Sequence, residues 1–227
     1  YQEHLFLYFF LGILLPTLFI LLNKSIQTTG IIKTDIAQRF SLIIPIIFSV
    51  FFWNQSIGLN KVIGLGLGFT AIFLILYRKN SEQSNGNYLY PLLILLGYGV
   101  VDVLFKKVAL ITTLPYTASL LIIFSCAFLI SFIYGGFGVY KKRFTYNKQA
   151  IIWGLGLGLL NFTNIFTYIK AHKIFHENPT VVFSTMNFGV ILLSTLVGFY
   201  FFKEKINKYN TFGILLSLIA IALITLF

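Results

Sequence analysis

The chain has 227 residues, 58% of them hydrophobic and only 10% charged, with a formal net charge of +11 and a mean hydropathy of +0.88. That balance excludes an ordinary soluble domain, and the polar connections, about a dozen residues at most, leave no room for one. The basic residues sit at the ends of apolar runs and in short turns, where they set membrane topology, so no nucleic acid is expected as a partner.

Apolar runs able to cross a hydrocarbon core of ~30 Å fall at 4–23, 32–53, 61–77, 88–109, 115–139, 149–171, 179–202 and 210–227. Backbone groups find no water in that core, so the runs are predicted to be helices; the short alternating segments of a membrane barrel are missing. The first run lacks a basic leader and a small-residue cleavage site, and reads as a span rather than a signal peptide. The second carries Asp35, Gln38 and Arg39, with Asp35 and Arg39 at the i, i+4 spacing of a helical ion pair. Asn54–Asn60 (NQSIGLN) forms a turn before the third. There, Gly64 and Gly68 make a GxxxG, a pattern that close helix packing explains and that lacks the lysine of a phosphate loop. The most polar connection, Arg78–Asn87 (RKNSEQSNGN), divides the chain into halves 1–79 and 80–227.

In the fourth run Tyr98, Asp102 and Lys106 share one face at i, i+4 and i+8. Either Asp102 and Lys106 neutralise each other so that the helix can insert, or Asp102 faces a cavity and senses proton or substrate. The fifth holds the single cysteine, Cys126, which rules out a disulfide framework. In the sixth, Gly154–Gly158 repeats the GxxxG, and Asn161, Asn164 and Tyr168 form a polar stripe suited to lining a cavity or to bonding a neighbouring helix. His172 and His176 follow at i, i+4 but find no third ligand, so no metal and no cofactor are expected. Pro115 and Pro179 sit where the fifth and seventh helices should begin. Asn187 lies within the seventh.

The stretch from Ser41 to Leu76 matches the stretch from Val190 to Thr225 without a gap, 149 positions on. Phe52 falls on Phe201, Gln55 on Glu204, Gly64 on Gly213, and Ala71-Ile72 on Ala220-Ile221. The copies lie five helices apart, an odd displacement, so they cross the membrane in opposite directions. The second half has five spans and the first three. Two further helices, on the order of 50–70 residues, are therefore expected ahead of Tyr1. Under the repeat Gln38 superposes on Asn187, placing two amides at equivalent depth, where they either face a central transporter site or make interhelical hydrogen bonds with no ligand.

The segments PIIFSVFFWNQSIGLNKVIG, GFYFFKEKINKYNTFG and YGVVDVLFKK, with the helix order, resemble the EamA branch of the drug/metabolite transporter superfamily. The resemblance implies an all-α membrane bundle of two inverted five-helix repeats. Residues 1–79 would then be helices 3–5 and residues 80–227 helices 6–10, about eight of ten. It implies a path among helices that here carry Asn23, Gln38 and Arg39, Asp102, Asn161 and Asn164, and Asn187. The family's motif glutamate and following glycine match Glu204 and Gly213; at the first copy Gln55 stands for the glutamate. Glu204, between Lys203 and Lys205, and Gln55 with it, read as helix-end or turn residues rather than substrate contacts.

The expected function is a secondary transporter or exporter of small organic metabolites, amino acids or related compounds by family analogy, working by alternating access. Its cavity residues would be Gln38, Arg39, Tyr98, Asp102, Asn161, Asn164, Tyr168 and Asn187. Protons couple if Asp102 titrates; facilitated diffusion results if it stays paired. A lipid or lipid-linked sugar flippase is the alternative. A membrane-embedded transferase is disfavoured, because six scattered acidic residues offer no cluster for Mg²⁺. The expected setting is the bilayer of a bacterial inner membrane, as a monomer or a homodimer. Positive charge places the turns after spans 4–23, 61–77, 115–139 and 179–202 in the cytoplasm, whereas the resemblance implies both termini inside.

Overall fold

A computed structural model describes residues 2–76, 88–111, 113–142, 147–203 and 207–226. The half boundary at Arg78–Asn87 and the motif Glu204 lie outside these residues. Among them the backbone forms nine helices and no strand: α1 (Gln2–Thr29), α2 (Ile31–Phe40), α3 (Ile43–Phe52), α4 (Leu59–Leu76), α5 (Leu89–Leu110), α6 (Tyr116–Tyr140), α7 (Lys148–Ile174), α8 (Pro179–Phe202) and α9 (Lys208–Leu226). Seven spans are long and apolar enough to cross a membrane, with α2 and α3 counting as one. α5 occupies the place of the remaining expected span and carries Asp102, Lys106 and Lys107, but is not among the seven.

Helix ends follow the local chemistry. Pro115 is the N-cap of α6, and Pro179 opens α8, where a missing N–H costs nothing. The Asn147 side chain accepts from Gln149 N–H and Ala150 N–H at the start of α7.

The span expected over 32–53 runs from Ile31 to Phe52 and is tightened at Ser41–Leu42, where both residues keep helical dihedrals. Pro45 is the reason. It has no N–H to give the Ser41 carbonyl, and its ring crowds that carbonyl. The chain answers with tighter bonds, Leu42 N–H to Arg39 O at 3.3 Å and Ile44 N–H to Ser41 O at 3.0 Å. The Ser41 hydroxyl donates to Gln38 O at 2.6 Å, occupying one of the carbonyls the tightening releases.

The chain forms two compact units, Tyr1–Ile20 with Leu104–His176, and Leu21–Val103 with Glu177–Phe227. In the first, α1 packs on α6. Gly12 lies so close to Cys126 that a Cβ would fall 2.6 Å from that of the cysteine, and Ser119 Oγ donates to the Tyr8 hydroxyl at 2.9 Å. Tyr116 and Phe124 of α6 meet Phe166 and Phe162 of α7 at 5.3 and 5.5 Å. The first half of α7 is exposed on every side, Trp153 and Leu157 included, as suits contact with lipid tails.

In the second unit α4 and α9 pack along their length through a reciprocal contact. A Cβ on Gly64 would fall 2.7 Å from Ile224 Cγ1, and one on Gly213 would fall 2.8 Å from Ile75 Cγ1. The 149-residue repeat maps Gly64 onto Gly213 and Ile75 onto Ile224, so the two contacts are one contact made twice about a pseudo-two-fold axis. The start of each helix meets the end of the other, so the copies run antiparallel. Parallel copies would have set Gly64 against Gly213. Gly68 also packs tightly, under the Phe188 ring, whereas Gly154, Gly156 and Gly158 have nothing within 4 Å. Close packing therefore accounts for the first GxxxG and not for the second.

Candidate functional site

Gln38, Arg39, Tyr98, Asp102 and Asn187 all belong to the second unit. Gln38 and Arg39 occupy the last turn of α2, just before the tightened turn that Pro45 imposes. The tightened turn keeps its carbonyls occupied, Gln38 O by the Ser41 hydroxyl and Arg39 O and Ser41 O by backbone N–H groups.

The helix pair formed by α3 and α8 joins the two repeats. Ser49 meets Thr180 across the pair, their hydroxyl oxygens 3.2 Å apart. Ser49 is nine residues beyond Phe40, and Thr180 is nine residues before Gly189, the repeat equivalent of Phe40. Applied to this contact, the repeat puts the midpoint of the pair at Phe40 and Gly189, two residues from Gln38 and Asn187. The Phe40 ring lies 5.0 Å from that of Phe69 on α4, and Phe69 lies 6.1 Å edge-on to Phe188 on α8, giving this midpoint an aromatic floor.

The two amides keep their bonding capacity. Gln38 is half-buried, and its side chain makes no hydrogen bond among the described residues. Asn187, also half-buried, donates Nδ2 to Phe183 O of its own helix at 3.0 Å. Neither is spent on an interhelical bond. The Arg39 Nε is buried and sits 3.4 Å from Asp35 Oδ1, the ion pair that the i, i+4 spacing anticipates, though without hydrogen-bond geometry. On α5 the Tyr98 hydroxyl lies within Coulombic reach of both Arg39 and Asp102. Amides, a phenol and charges of both signs thus fall within one unit, a mixed polar set able to bond a small solute at several points.

Asn161, Asn164 and Tyr168 lie on α7 in the first unit. Tyr168 is buried with its ring edge-on to His172, centroids 4.6 Å apart, while Asn161 is half-buried and Asn164 exposed. In the same unit Lys106, only 1% exposed, donates to His176 O at 3.0 Å and His172 O at 3.4 Å. It covers carbonyls at the C-terminal end of α7, where a cation meets the favourable end of the helix dipole. The spacing with Asp102 suggested a pairing role for this lysine but held no hint of its bonds to α7.

Gln55 lies in the turn between α3 and α4, as expected, but is only 7% exposed, and its Oε1 accepts from Thr180 N–H at 3.3 Å and Thr180 Oγ1 at 2.7 Å. It caps the N-terminus of α8 from outside that helix. The signal was present in its alignment with the motif glutamate, since an acceptor near a helix N-terminus is stabilising. Glu204 lies outside the described residues. No group of three metal-ligating side chains is found among the described residues.

Residues 2–77 match the EamA-like transporter family. An uncharacterized protein of Haemophilus influenzae is 42% identical over 214 residues, which span 93% of this chain and 72% of that protein. The chain belongs to the EamA-like transporter family. A second relative, from Priestia megaterium, is named "Probable glucose uptake protein GlcU" and is 27% identical over 214 residues, 87% of this chain and 69% of that protein. A multi-pass membrane protein with a small-molecule substrate follows from the family and the seven apolar spans.

Proposed function

We propose that this EamA-like protein takes up a small polyhydroxylated solute, a monosaccharide, by alternating access, holding it between Gln38 and Asn187. The observation that carries the reading is the repeat-related pair of amides, neither bonded to another helix among the described residues, beside the tightened turn of the α2–α3 span. An amide offers a donor and an acceptor side by side and fits vicinal hydroxyls, and the ring of Tyr98 adds a face on which a sugar can lie. The name of the Priestia megaterium relative supports the same class. A second reading, an amino acid substrate, draws on Arg39 and Asp102, opposite charges that both act on Tyr98 and would suit a zwitterion. Asp102 is the group through which either substrate would couple to protons.

The test is uptake into proteoliposomes of labelled glucose and labelled alanine, each against an excess of unlabelled hexoses and amino acids. Gln38→Ala and Asn187→Ala should each raise KM about five- to tenfold, the worth of about one buried hydrogen bond, and Asp102→Asn should flatten the dependence on an imposed pH gradient. Competition by amino acids alone would select the second reading. KM values untouched by both amide substitutions would remove Gln38 and Asn187 from the site.

A further inference from the structure

Four hydrogen bonds join the two repeats at one end of the α3–α8 pair. Ser49 Oγ meets Thr180 Oγ1 at 3.2 Å; Gln55 Oε1 accepts from Thr180 N–H and Oγ1; and Lys61 Nζ donates to Asn178 Oδ1 at 2.9 Å. Ser49 and Thr180 are fully buried. Opening this end would leave Ser49 its bond to Ile46 O at 2.7 Å but would strip the buried Gln55 Oε1 of both donors and Thr180 of its acceptor.

The opposite end of the same pair is built from the repeat equivalents, and there the chemistry is absent. Thr180 maps onto Ile31, and Ser49 onto Gly198. Neither has a hydroxyl, and Ile31 is 64% exposed. The backbone is pseudo-symmetric and the fastening is not. In a transporter with inverted repeats the two ends of such a pair become the two mouths of the path, each closed in turn.

Resting on the transporter reading above, we infer that Ser49, Gln55 and Thr180 form a latch that holds the mouth between α3 and the start of α8 shut. Its one-sidedness biases the resting protein toward the state open at the Ile31–Gly198 end. The latch residues touch no substrate; they set the ratio of the two states, and through it the apparent affinity seen from each side. Gln55 is the adjustable member, because it holds both donors of Thr180 through a single oxygen. Its own Nε2 is buried without an acceptor.

The experiment locks and then loosens this mouth. In a Cys126→Ala background, the Ser49→Cys/Thr180→Cys protein places two thiols where hydroxyls now touch, within the separation a disulfide spans. Oxidation should cross-link it and lower uptake at least tenfold, with full recovery on reduction. Uptake that survives complete cross-linking would overturn the latch. If the reduced protein and its Cys126→Ala parent transport nothing, the transporter reading fails instead, which is a different result. A second measurement needs no transport. A cysteine at Ser184, buried one turn inside the latch on α8, should react with a polar maleimide about fivefold faster once Gln55→Ala removes an acceptor. An unchanged rate would also overturn the latch.

Discussion

The reciprocal glycine contact makes a prediction that the two copies can check against each other. A methyl group at Gly213 would lie 2.8 Å from Ile75 Cγ1, 3.0 Å from Ile75 N and 3.0 Å from Leu74 Cβ. Two of those obstacles are backbone or next to it and cannot swing aside, so α4 and α9 must separate. At Gly64 the methyl would meet Ile224 Cγ1 at 2.7 Å and Ala220 O at 3.2 Å, and rotation of Ile224 relieves the worse contact. Overpacking costs about 1–3 kcal/mol, and alanine returns about 1 kcal/mol of helix propensity. Gly213→Ala should therefore destabilise by up to about 2 kcal/mol and Gly64→Ala by less. At roughly 2–4 °C per kcal/mol for a chain of this size, Tm in detergent should fall by up to about 8 °C for Gly213→Ala. Gly156→Ala, with open space around it, is the control and should hold or raise Tm. Ile224→Ala combined with Gly64→Ala should cost less than the two changes added, because the same atoms are in dispute. Equal melting of Gly213→Ala and Gly156→Ala would refute the close antiparallel packing, and with it the pseudo-two-fold.

Two further perturbations separate stability from transport. Pro45→Ala restores the N–H that the Ser41 carbonyl lacks and should straighten α2 into α3. Stability is then expected to hold or rise while uptake falls at least tenfold, and unchanged uptake would show that the tightened turn does not serve the site. Lys106→Met removes the donor that His172 O and His176 O share, leaving polar groups at the end of α7 unsatisfied at a cost of about 1–3 kcal/mol. Tm should drop by several degrees, and an unaltered or higher Tm counts against the capping role.

Much of this fold could be read before any coordinates. Apolar runs of the right length fixed the helices, since a backbone in lipid must satisfy its own hydrogen bonds, and Pro115 and Pro179 marked two helix starts. The repeat carried more, because an odd number of helices between copies allows only opposite crossings. Gly64, Gly213, Ile75 and Ile224 then pack as an inverted pair must. Pro45 was in plain view as the cause of the tightened turn, yet the apolar pattern ran through it unbroken and concealed the change.

What the tertiary structure alone decided are the partners of polar groups far apart in sequence. Lys106 and Asp102 share a helix face, but the bonds from Lys106 to the end of α7 come from residues 66 and 70 positions away. Gln55 and Thr180 are 125 positions apart, and no spacing rule connects them. Helical periodicity reports which side of a helix a residue takes and is silent on what stands opposite. Composition and repeat thus determined the membrane, the helices and the inversion. Packing decided which repeat-related amides bond no other helix among the described residues and which end of the repeat pair was fastened.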